Sequence, residues 1–183
     1  MSIPEQRADG GPAAAPTAAS LLPAGGRELD RERARRLAAV LAPGVVEYKV
    51  LVIDGVPHSK ERPRFNKDGR AYKSPTDEAA EQRTAWKLRP AFRQPLTGNL
   101  AVGCVFFRPN RQWIDKDNLV KHVLDAGNGI AWVDDVQITA EYGVVELDVE
   151  HPRTILVVTR HVSSMDRSDV VAKVHRPPRK RKG

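Results

Sequence analysis

Apolar and polar positions follow two different periods along the chain, and their order predicts strands interleaved with helices. Runs rich in β-branched and aromatic residues predict strands at 45–53, 98–109, 135–147 and 153–162. A capping signal formed by Ser74 and Asp77 predicts a helix over 74–92. A second helix is predicted over 117–126, ended by Gly127 or Gly129.

Between the first strand and the first of these helices, Pro and Gly residues predict a long loop, 55–73. The order of elements is then strand, loop, helix, strand, helix, strand, strand. This order indicates an α/β or α+β fold, a single compact domain in which helices flank a mixed sheet.

The two ends of the chain differ from this central region in composition. Residues 1–44 form an N-terminal extension: 1–26 are rich in Ala, Pro and Gly and are expected to be disordered, while 26–42 predict a charged helix. Residues 163–183 form a basic C-terminal tail, which is either a solvated end or a non-specific phosphate contact. The compact domain is therefore predicted to span 45–162.

Composition limits the partners and the compartment. The 183 residues carry a net charge of +7, which favours a polyanionic partner. Charge is polarised: His58–Lys73 holds six basic and two acidic residues, whereas Asp115–Glu150 holds two basic and nine acidic residues. One cysteine, no secretion signal and no membrane-spanning run predict a cytoplasmic protein without a membrane partner.

Acidic residues concentrate in the stretch 113–138. On the predicted helix, Asp117, Lys121 and Asp125 share one side, opposite the apolar residues. Asp117 and Lys121 are also spaced as an ordinary surface ion pair. On the following strand a period of two places Val136, Ile138, Ala140, Tyr142 and Val144 inward, and Asp135, Gln137, Thr139 and Glu141 outward. If helix and strand pack together, Asp115, Asp117 and Asp135 are expected to converge.

Converging carboxylates need a cation, and hard divalent ions such as Mg²⁺ take oxygen ligands of this kind. Such an ion activates water for attack on phosphorus, and Lys121 would stabilise the transition state. A calcium loop is excluded because Leu119 and Val120 stand where it needs an oxygen ligand and a glycine. Zinc is disfavoured because five histidines and one cysteine show no paired ligand spacing.

The stretch DKDNLVKHVLDAGNGIAWVDDVQI resembles the signature of the RusA family of Holliday junction resolvases of bacteria and their phages. The upstream KERPRFNKDGRAYKSP is similar to the basic segment of the same family. The resemblance covers 45–162 and implies a homodimeric endonuclease, dependent on Mg²⁺ or Mn²⁺, that nicks two opposing strands of a four-way DNA junction during recombination and repair. Such a protein works in the cytoplasm of a bacterial or phage-infected cell.

By motif position, the resemblance makes Asp115, Asp117 and Asp135 the metal ligands and Lys121 the catalytic cation that contacts the phosphate. Asp125 matches a supporting acid. The chain departs from the family pattern at Ile114, where a basic residue is usual, and at Gly127, where a leucine is usual.

The long loop is then expected to bind DNA phosphates beside the acidic site. Its basic residues are Lys60, Arg62, Arg64, Lys67, Arg70 and Lys73. Phe65 or Tyr72 would either pack in the core or stack on unpaired bases. The alternatives to a junction resolvase are a nuclease for forks or other branched phage DNA, and a nucleic-acid-binding protein without activity. For a nuclease, residues 1–44 and 163–183 are expected to be dispensable for chemistry.

Overall fold

The computed structural model describes residues 28–44, 47–62, 64–168 and 170. The expected disorder of 1–26 and most of the basic tail lie outside these residues. The elements, in chain order, are α1 (Glu28–Leu41), β1 (Tyr48–Asp54), β2 (Arg64–Phe65), β3 (Ala71–Tyr72), α2 (Pro75–Leu88), β4 (Leu100–Arg108), α3 (Lys116–Gly127), β5 (Ile138–Leu147) and β6 (Arg153–Arg160). Short 3-10 turns, Arg89–Ala91 and Asp135–Gln137, follow α2 and precede β5.

Four of these strands form one sheet in the order β1-β6-β4-β5. β6 is antiparallel to both β1 and β4, while β4 and β5 are parallel and are joined by α3. The predicted α+β fold with a mixed sheet is confirmed. The loop expected at 55–73 also contains a small hairpin, β2–β3, which the sequence pattern did not reveal because both strands are two residues long.

Helices cover both faces of the sheet. On one face α2 and α3 enclose a core that includes Leu88, Phe106, Leu119 and Trp132. On the other face α1 packs through alternating small and large residues, Ala34, Leu37, Ala38 and Leu41. Because both faces are covered, every residue of β4 is buried.

The helix predicted over 26–42 is therefore α1, and it belongs to the packed structure. Its Asp30 carboxylate accepts three hydrogen bonds from the Arg153 guanidinium, at 2.6 to 3.1 Å, in a setting where both side chains are only 3% exposed. Arg153 also lies over the ring of Phe107, 3.9 Å from its centroid. A buried ion pair of this kind ties the helix to strand β6.

The close approach of α1 depends on a glycine in the middle of β4. A Cβ atom at Gly103 would lie 2.7 Å from Leu37 Cγ and 2.7 Å from Leu41 Cδ1, well inside van der Waals contact. The sheet thus has a groove at this position into which two leucines of α1 fit.

The predicted alternation along β5 was wrong at its start. The strand begins at Ile138, not at Asp135, and the pairing Leu100↔Ile138 is followed by Ala101↔Ala140, so that Thr139 is an extra residue. A bulge of one residue exchanges the two faces of a strand. Gln137, expected outward, is fully buried in the 3-10 turn before the strand, whereas Val136 and Tyr142, expected inward, are about half exposed.

Candidate active site

The N-terminal end of α3 is built around Asp115. Its carboxylate caps the helix by accepting hydrogen bonds from the Asp117 backbone N–H at 2.9 Å and from Asn118 Nδ2 at 3.3 Å. Aspartate is favoured at this position because it satisfies free N–H groups and because the helix dipole is positive there. The sequence thus holds two predicted ligands, Asp115 and Asp117, at one helix end.

Asp117 lies in the first turn, with its side chain 78% exposed and 2.9 Å from Lys116 Nζ. The Asp117 hydrogen bond raises the pKa of Lys116, against the opposing effect of burial, and the charges of Glu141 and Asp115 act in the same direction as Asp117. Glu141 therefore belongs to this end of α3. Sequence reasoning missed it because the bulge in β5 decides which strand residues face α3.

Lys121, the predicted catalytic cation, is exposed one turn further along α3. Burial and the charge of Lys73 lower the pKa of Lys60, and the nearby charge of Lys121 acts in the same direction. Lys60 in turn contacts Asp125, which is also on α3. The predicted stripe of Asp117, Lys121 and Asp125 thus runs from the acidic end of α3 toward the basic loop.

The two adjacent aspartates before β5 have different surroundings. Asp134 caps the 3-10 turn by accepting from the Val136 N–H at 3.0 Å. The fully buried Gln137 side chain accepts from the N–H groups of Val133 and Asp134 and donates to the carbonyls of Leu96 and Gly98. Gln137 therefore fixes the turn, and Asp135 is the carboxylate that the turn presents, half-buried, beside the start of β5.

The predicted ligands lie at opposite ends of α3, the helix that connects the parallel strands β4 and β5. Asp115 and Asp117 follow β4 at the carboxyl end of the parallel pair, while Asp135 precedes β5 at its amino end. Within the described residues, no group of three or more His, Cys, Asp or Glu side chains is arranged to hold a metal ion. The carboxylate donors suit Mg²⁺ chemically, but the three predicted ligands do not fit around one ion within a single chain.

The basic loop is anchored at its base by acids on α2. Asp77, itself buried, lies 2.7 Å from His58 Nε2 and accepts hydrogen bonds from the Glu61 N–H at 3.1 and 3.2 Å. Burial alone would raise the pKa of Asp77, but these hydrogen bonds outweigh it and lower the pKa. The loop thus leaves the core from a fixed position.

The six basic residues predicted to bind DNA fall into two groups. Lys60 contacts Asp125 and is 12% exposed, and Lys73 lies 2.6 Å from Glu81. The remaining four are exposed on or beside the hairpin: Arg62, Arg64, Lys67 and Arg70. Of these, Arg64 also pairs with Glu61 at 3.3 Å, and Lys73 of the first group is itself exposed. Phe65 and Tyr72 are 69% and 49% exposed, so neither packs in the core.

A buried histidine connects α3 to α2 beneath this loop. His122 Nε2 lies 3.0 Å from Thr84 Oγ1, and its ring meets that of His58 edge-on at 4.8 Å. Burial, together with the charge of His58, lowers the pKa of His122 from 6.5 to about 4. His122 is therefore neutral at physiological pH.

The two departures from the family pattern are explained by packing. Ile114 is partly buried against the core of the α2/α3 face. A Cβ atom at Gly127 would lie 2.2 Å from Trp132 Cζ2, so the indole ring occupies the space that a side chain would need. The loop before α3 also carries Trp113, which is 99% exposed two residues from Asp115 and which the motif reasoning did not select.

A family model described as endodeoxyribonuclease RusA matches residues 54–159, which is more than half of the chain. The class of the protein is therefore an endodeoxyribonuclease, an enzyme that cuts DNA within a strand. The chain belongs to the RusA family. A search of curated proteins found no match. No helix among the described residues is long and apolar enough to cross a membrane.

Proposed function

We propose that this endonuclease is a Holliday junction resolvase that acts as a homodimer and cuts two opposing strands of a four-way DNA junction. The observation that supports it most directly is the pairing of an acidic helix end with an exposed basic hairpin within the region that matches the RusA family. A DNA-binding protein without activity gains nothing from carboxylates beside its phosphate-binding surface.

The proposed cofactor is Mg²⁺, with Mn²⁺ as a substitute, and the proposed ligands are Asp115, Asp117 and Asp135. When bound, such an ion activates water and offsets charge on the leaving oxygen. Lys121, which is exposed, is proposed to contact the phosphate being cut and to stabilise the transition state.

The basic residues position the DNA. Arg62, Arg64, Lys67 and Arg70 are exposed and are proposed to contact phosphates directly. Lys60 and Lys73 were also predicted to bind DNA. Lys60 pairs with Asp125 and Lys73 with Glu81, so each lysine would have to leave its carboxylate partner in order to bind a phosphate. Phe65, Tyr72 and Trp113 offer exposed rings on which unpaired bases stack.

The proposed setting is the cytoplasm of a bacterial or phage-infected cell, where such junctions arise. The single cysteine, Cys104, is free and buried, and burial raises the pKa of its thiol. It is therefore an inert core residue, in keeping with a reducing compartment.

A cleavage panel tests the proposal. Labelled four-way junction, replication fork, flap and linear duplex are incubated with the full chain, with and without Mg²⁺. Paired nicks in the junction that require the metal are the expected result. Preferential cutting of forks or flaps would instead favour the alternative, a nuclease for other branched DNA. Absence of cutting on every substrate would contradict the proposal.

A further inference from the structure

A cavity of about 180 Å³ lies between the end of β1, α2 and α3, at the base of the basic loop. This volume is that of about six water molecules at roughly 30 Å³ each. Sites for drug-sized molecules are larger, about 300–1,000 Å³. A ligand of this cavity is therefore a small group, and its chemistry follows from the residues that line the cavity.

The mouth of the cavity carries more positive than negative charge. Arg83 and Lys87, one turn apart on α2, are exposed lining residues, and Asp54 at the end of β1 is the acid beside them. Lys87 Nζ donates a hydrogen bond to the backbone carbonyl of Asp54, which holds the ammonium group at the mouth. Two cations against one carboxylate favour an anion and disfavour a metal ion.

Deeper in the cavity is a histidine with an unused ring nitrogen. His122 is 3% exposed, and its Nε2 atom lies 3.0 Å from Thr84 Oγ1. Its Nδ1 atom is buried and has no hydrogen-bond partner among the described residues. Buried polar atoms in proteins nearly always have a partner, so an unpaired one indicates a place for a ligand, an ion or water.

The surroundings of His122 are electropositive. Burial lowers its pKa from 6.5 to about 4, and the charge of His58 acts in the same direction. Lys60 and Arg83 add to this effect, while Asp77 opposes it. The imidazole is therefore neutral at physiological pH, and a neutral ring has one N–H donor and one acceptor nitrogen. When Nε2 accepts the hydroxyl hydrogen bond, the donor is Nδ1.

We propose that this cavity is a binding site for a phosphate group, with Arg83 and Lys87 holding its charge at the mouth and His122 Nδ1–H donating to one of its oxygens. Phosphate suits these groups because its oxygens accept several hydrogen bonds at once and because its charge matches the two cations. None of the three side chains belongs to the predicted metal site, so phosphate binding and cleavage can be tested apart.

A phosphate in the cavity would connect several parts of the chain, since the lining residues come from the end of β1, the start of the basic loop, α2 and α3. His58, also in the lining, already ties the loop to α2 through Asp77 at 2.7 Å. A bound phosphate adds a tie between α2 and α3, at the turn that carries Lys121 next to His122. Its source is either a backbone phosphate of DNA or a free phosphate compound, and both present the same chemistry to the cavity.

Stabilisation by inorganic phosphate tests the site. A ligand that binds only the folded chain raises its Tm, and at ten times the dissociation constant the rise should be about 3–5 °C. Phosphate also stabilises proteins by exclusion from their surfaces, so the parent is compared with Arg83→Gln at equal phosphate and salt concentrations. Arg31→Gln, at an exposed arginine on α1, is the matched control and should respond as the parent does. Equal responses of the parent and Arg83→Gln would overturn the proposal.

The ring nitrogens of His122 provide a second measurement, which needs no substitution. In a chain with ¹⁵N-labelled histidine, the chemical shifts show which ring nitrogen carries the proton. The expected result is a proton on Nδ1, and a resonance that shifts on addition of phosphate with the dissociation constant found by thermal unfolding. A proton on Nε2, or a His122 resonance that phosphate does not move, would also contradict the proposal.

Junction binding in a chelator distinguishes the two sources of phosphate. If DNA supplies it, Arg83→Gln should weaken junction binding a few-fold and reduce the slope of log affinity against log salt by about 1, while Arg31→Gln should not. If phosphate stabilises the parent and Arg83→Gln binds the junction as the parent does, the ligand is a free phosphate compound. Cleavage by the parent is measured separately, so failure of the proposed function would leave the result on the cavity unchanged.

Discussion

The two faces of the sheet differ in what their polar groups do. On the α1 face, Asp30 and Arg153 form a sealed ion pair with both side chains 3% exposed. On the α2/α3 face, Asp117 pairs with Lys116 while 78% exposed, at a helix end open to solvent. The buried Asp30 and Arg153 side chains are shielded from other ions, whereas the exposed Asp117 carboxylate can exchange Lys116 for another cation. The region that matches the family, 54–159, contains α2 and α3 but not α1.

The comparison predicts that chemistry and stability respond to changes on different faces. A substitution at the exposed helix end should remove activity and leave the fold intact. A substitution in the sealed pair should weaken the fold and leave the chemistry of each folded molecule intact.

The largest expected effect is that of Asp117→Asn. It removes a charged ligand without a change in volume, and the cleavage rate should fall about a thousandfold or more, because water activation by a metal supplies much of the rate. Its Tm should stay close to that of the parent, and junction binding without metal should persist or tighten because a negative charge is lost. Single-turnover cleavage, thermal unfolding and binding in a chelator are the measurements.

Two controls sharpen this result. Asp134→Asn should have little effect, because asparagine also caps a helical turn and Asp134 faces its own backbone. Lys121→Ala should slow cleavage without tightening binding, because it removes a positive charge. Normal cleavage by Asp117→Asn together with loss of cleavage in Asp134→Asn would show that the ligands are misassigned.

The second prediction concerns Asp30→Ala. It removes the fully buried partner of Arg153, whose guanidinium keeps the part-exposed Asp148 carboxylate at 2.6 Å. The loss of stability should therefore be about 3 kcal/mol, the low end of the cost of breaking a buried pair. Urea unfolding measures the loss, and cleavage per folded molecule should be unchanged. Arg33→Ala, which removes a half-exposed ion pair with Glu146 at 3.0 Å, is the matched control and should cost less than about 1 kcal/mol. Equal losses in the two variants would contradict the distinction between a sealed and an open pair.

The same reasoning changes the expectation for truncation. Removal of residues 1–43 deletes α1 and exposes the apolar face around Val105, Phe107, Ile155 and Val157. Such a chain should fail to fold, although the N-terminal extension was expected from its sequence to be dispensable. Removal of 1–27 alone keeps α1 and should leave both stability and cleavage close to those of the full chain.

A fourth prediction, with a smaller expected effect, concerns the dependence of stability on pH. In an unfolded chain His122 is protonated below about pH 6.5, whereas in the folded chain it is protonated only near pH 4. Between these two values the unfolded state binds more protons. The free energy of unfolding therefore falls as the pH falls from 6.5 toward 4. The full difference corresponds to about 3 kcal/mol. Urea unfolding of the parent and of His122→Gln at pH 7, 6 and 5 measures it, and the variant should lose less stability. Parallel losses would show that other groups dominate.

The smallest predicted effect compares single arginines on the two faces. Arg70→Ala, on the hairpin beside α2 and α3, should weaken junction binding a few-fold and reduce the slope of log affinity against log salt by about 1. Arg31→Ala, exposed on α1, should change neither. Titrations at several salt concentrations separate the two. Equal effects would indicate that DNA contacts both faces.

Most elements of the fold were predictable because their signals are local. The periodicity of α3 and the capping signal at Ser74 act within a few residues, and both helices form where expected. The bulge at Thr139 was not predictable, because it depends on pairing with β4 across nearly 40 residues of sequence. For the same reason Glu141 and the buried role of Gln137 were missed.

In the candidate site, too, features set by nearby residues were predictable and features set by distant contacts were not. Motif spacing led to the choice of Asp115 and Asp117 and to the preference for Asp135 over Asp134, and these assignments stay predictions. The sequence predicted that the three carboxylates converge, but within one chain Asp135 lies at the opposite end of α3 from Asp115 and Asp117. This separation depends on β4 and β5 being parallel neighbours, which the sequence pattern does not show. The partners of Lys60 and Lys73 also lie on other elements, and a count of basic residues gives no information about them.

The residue at the position of Gly103 also has a use in comparing members of the family. A Cβ atom at this position would collide with Leu37 and Leu41, so a chain that packs the same two leucines of α1 against β4 is expected to keep glycine there. A relative without the helix has no such restriction, and selection for strand formation would then favour a β-branched residue. One position in β4 should therefore indicate, from sequence alone, which members of the family carry an N-terminal helix on the second face of their sheet.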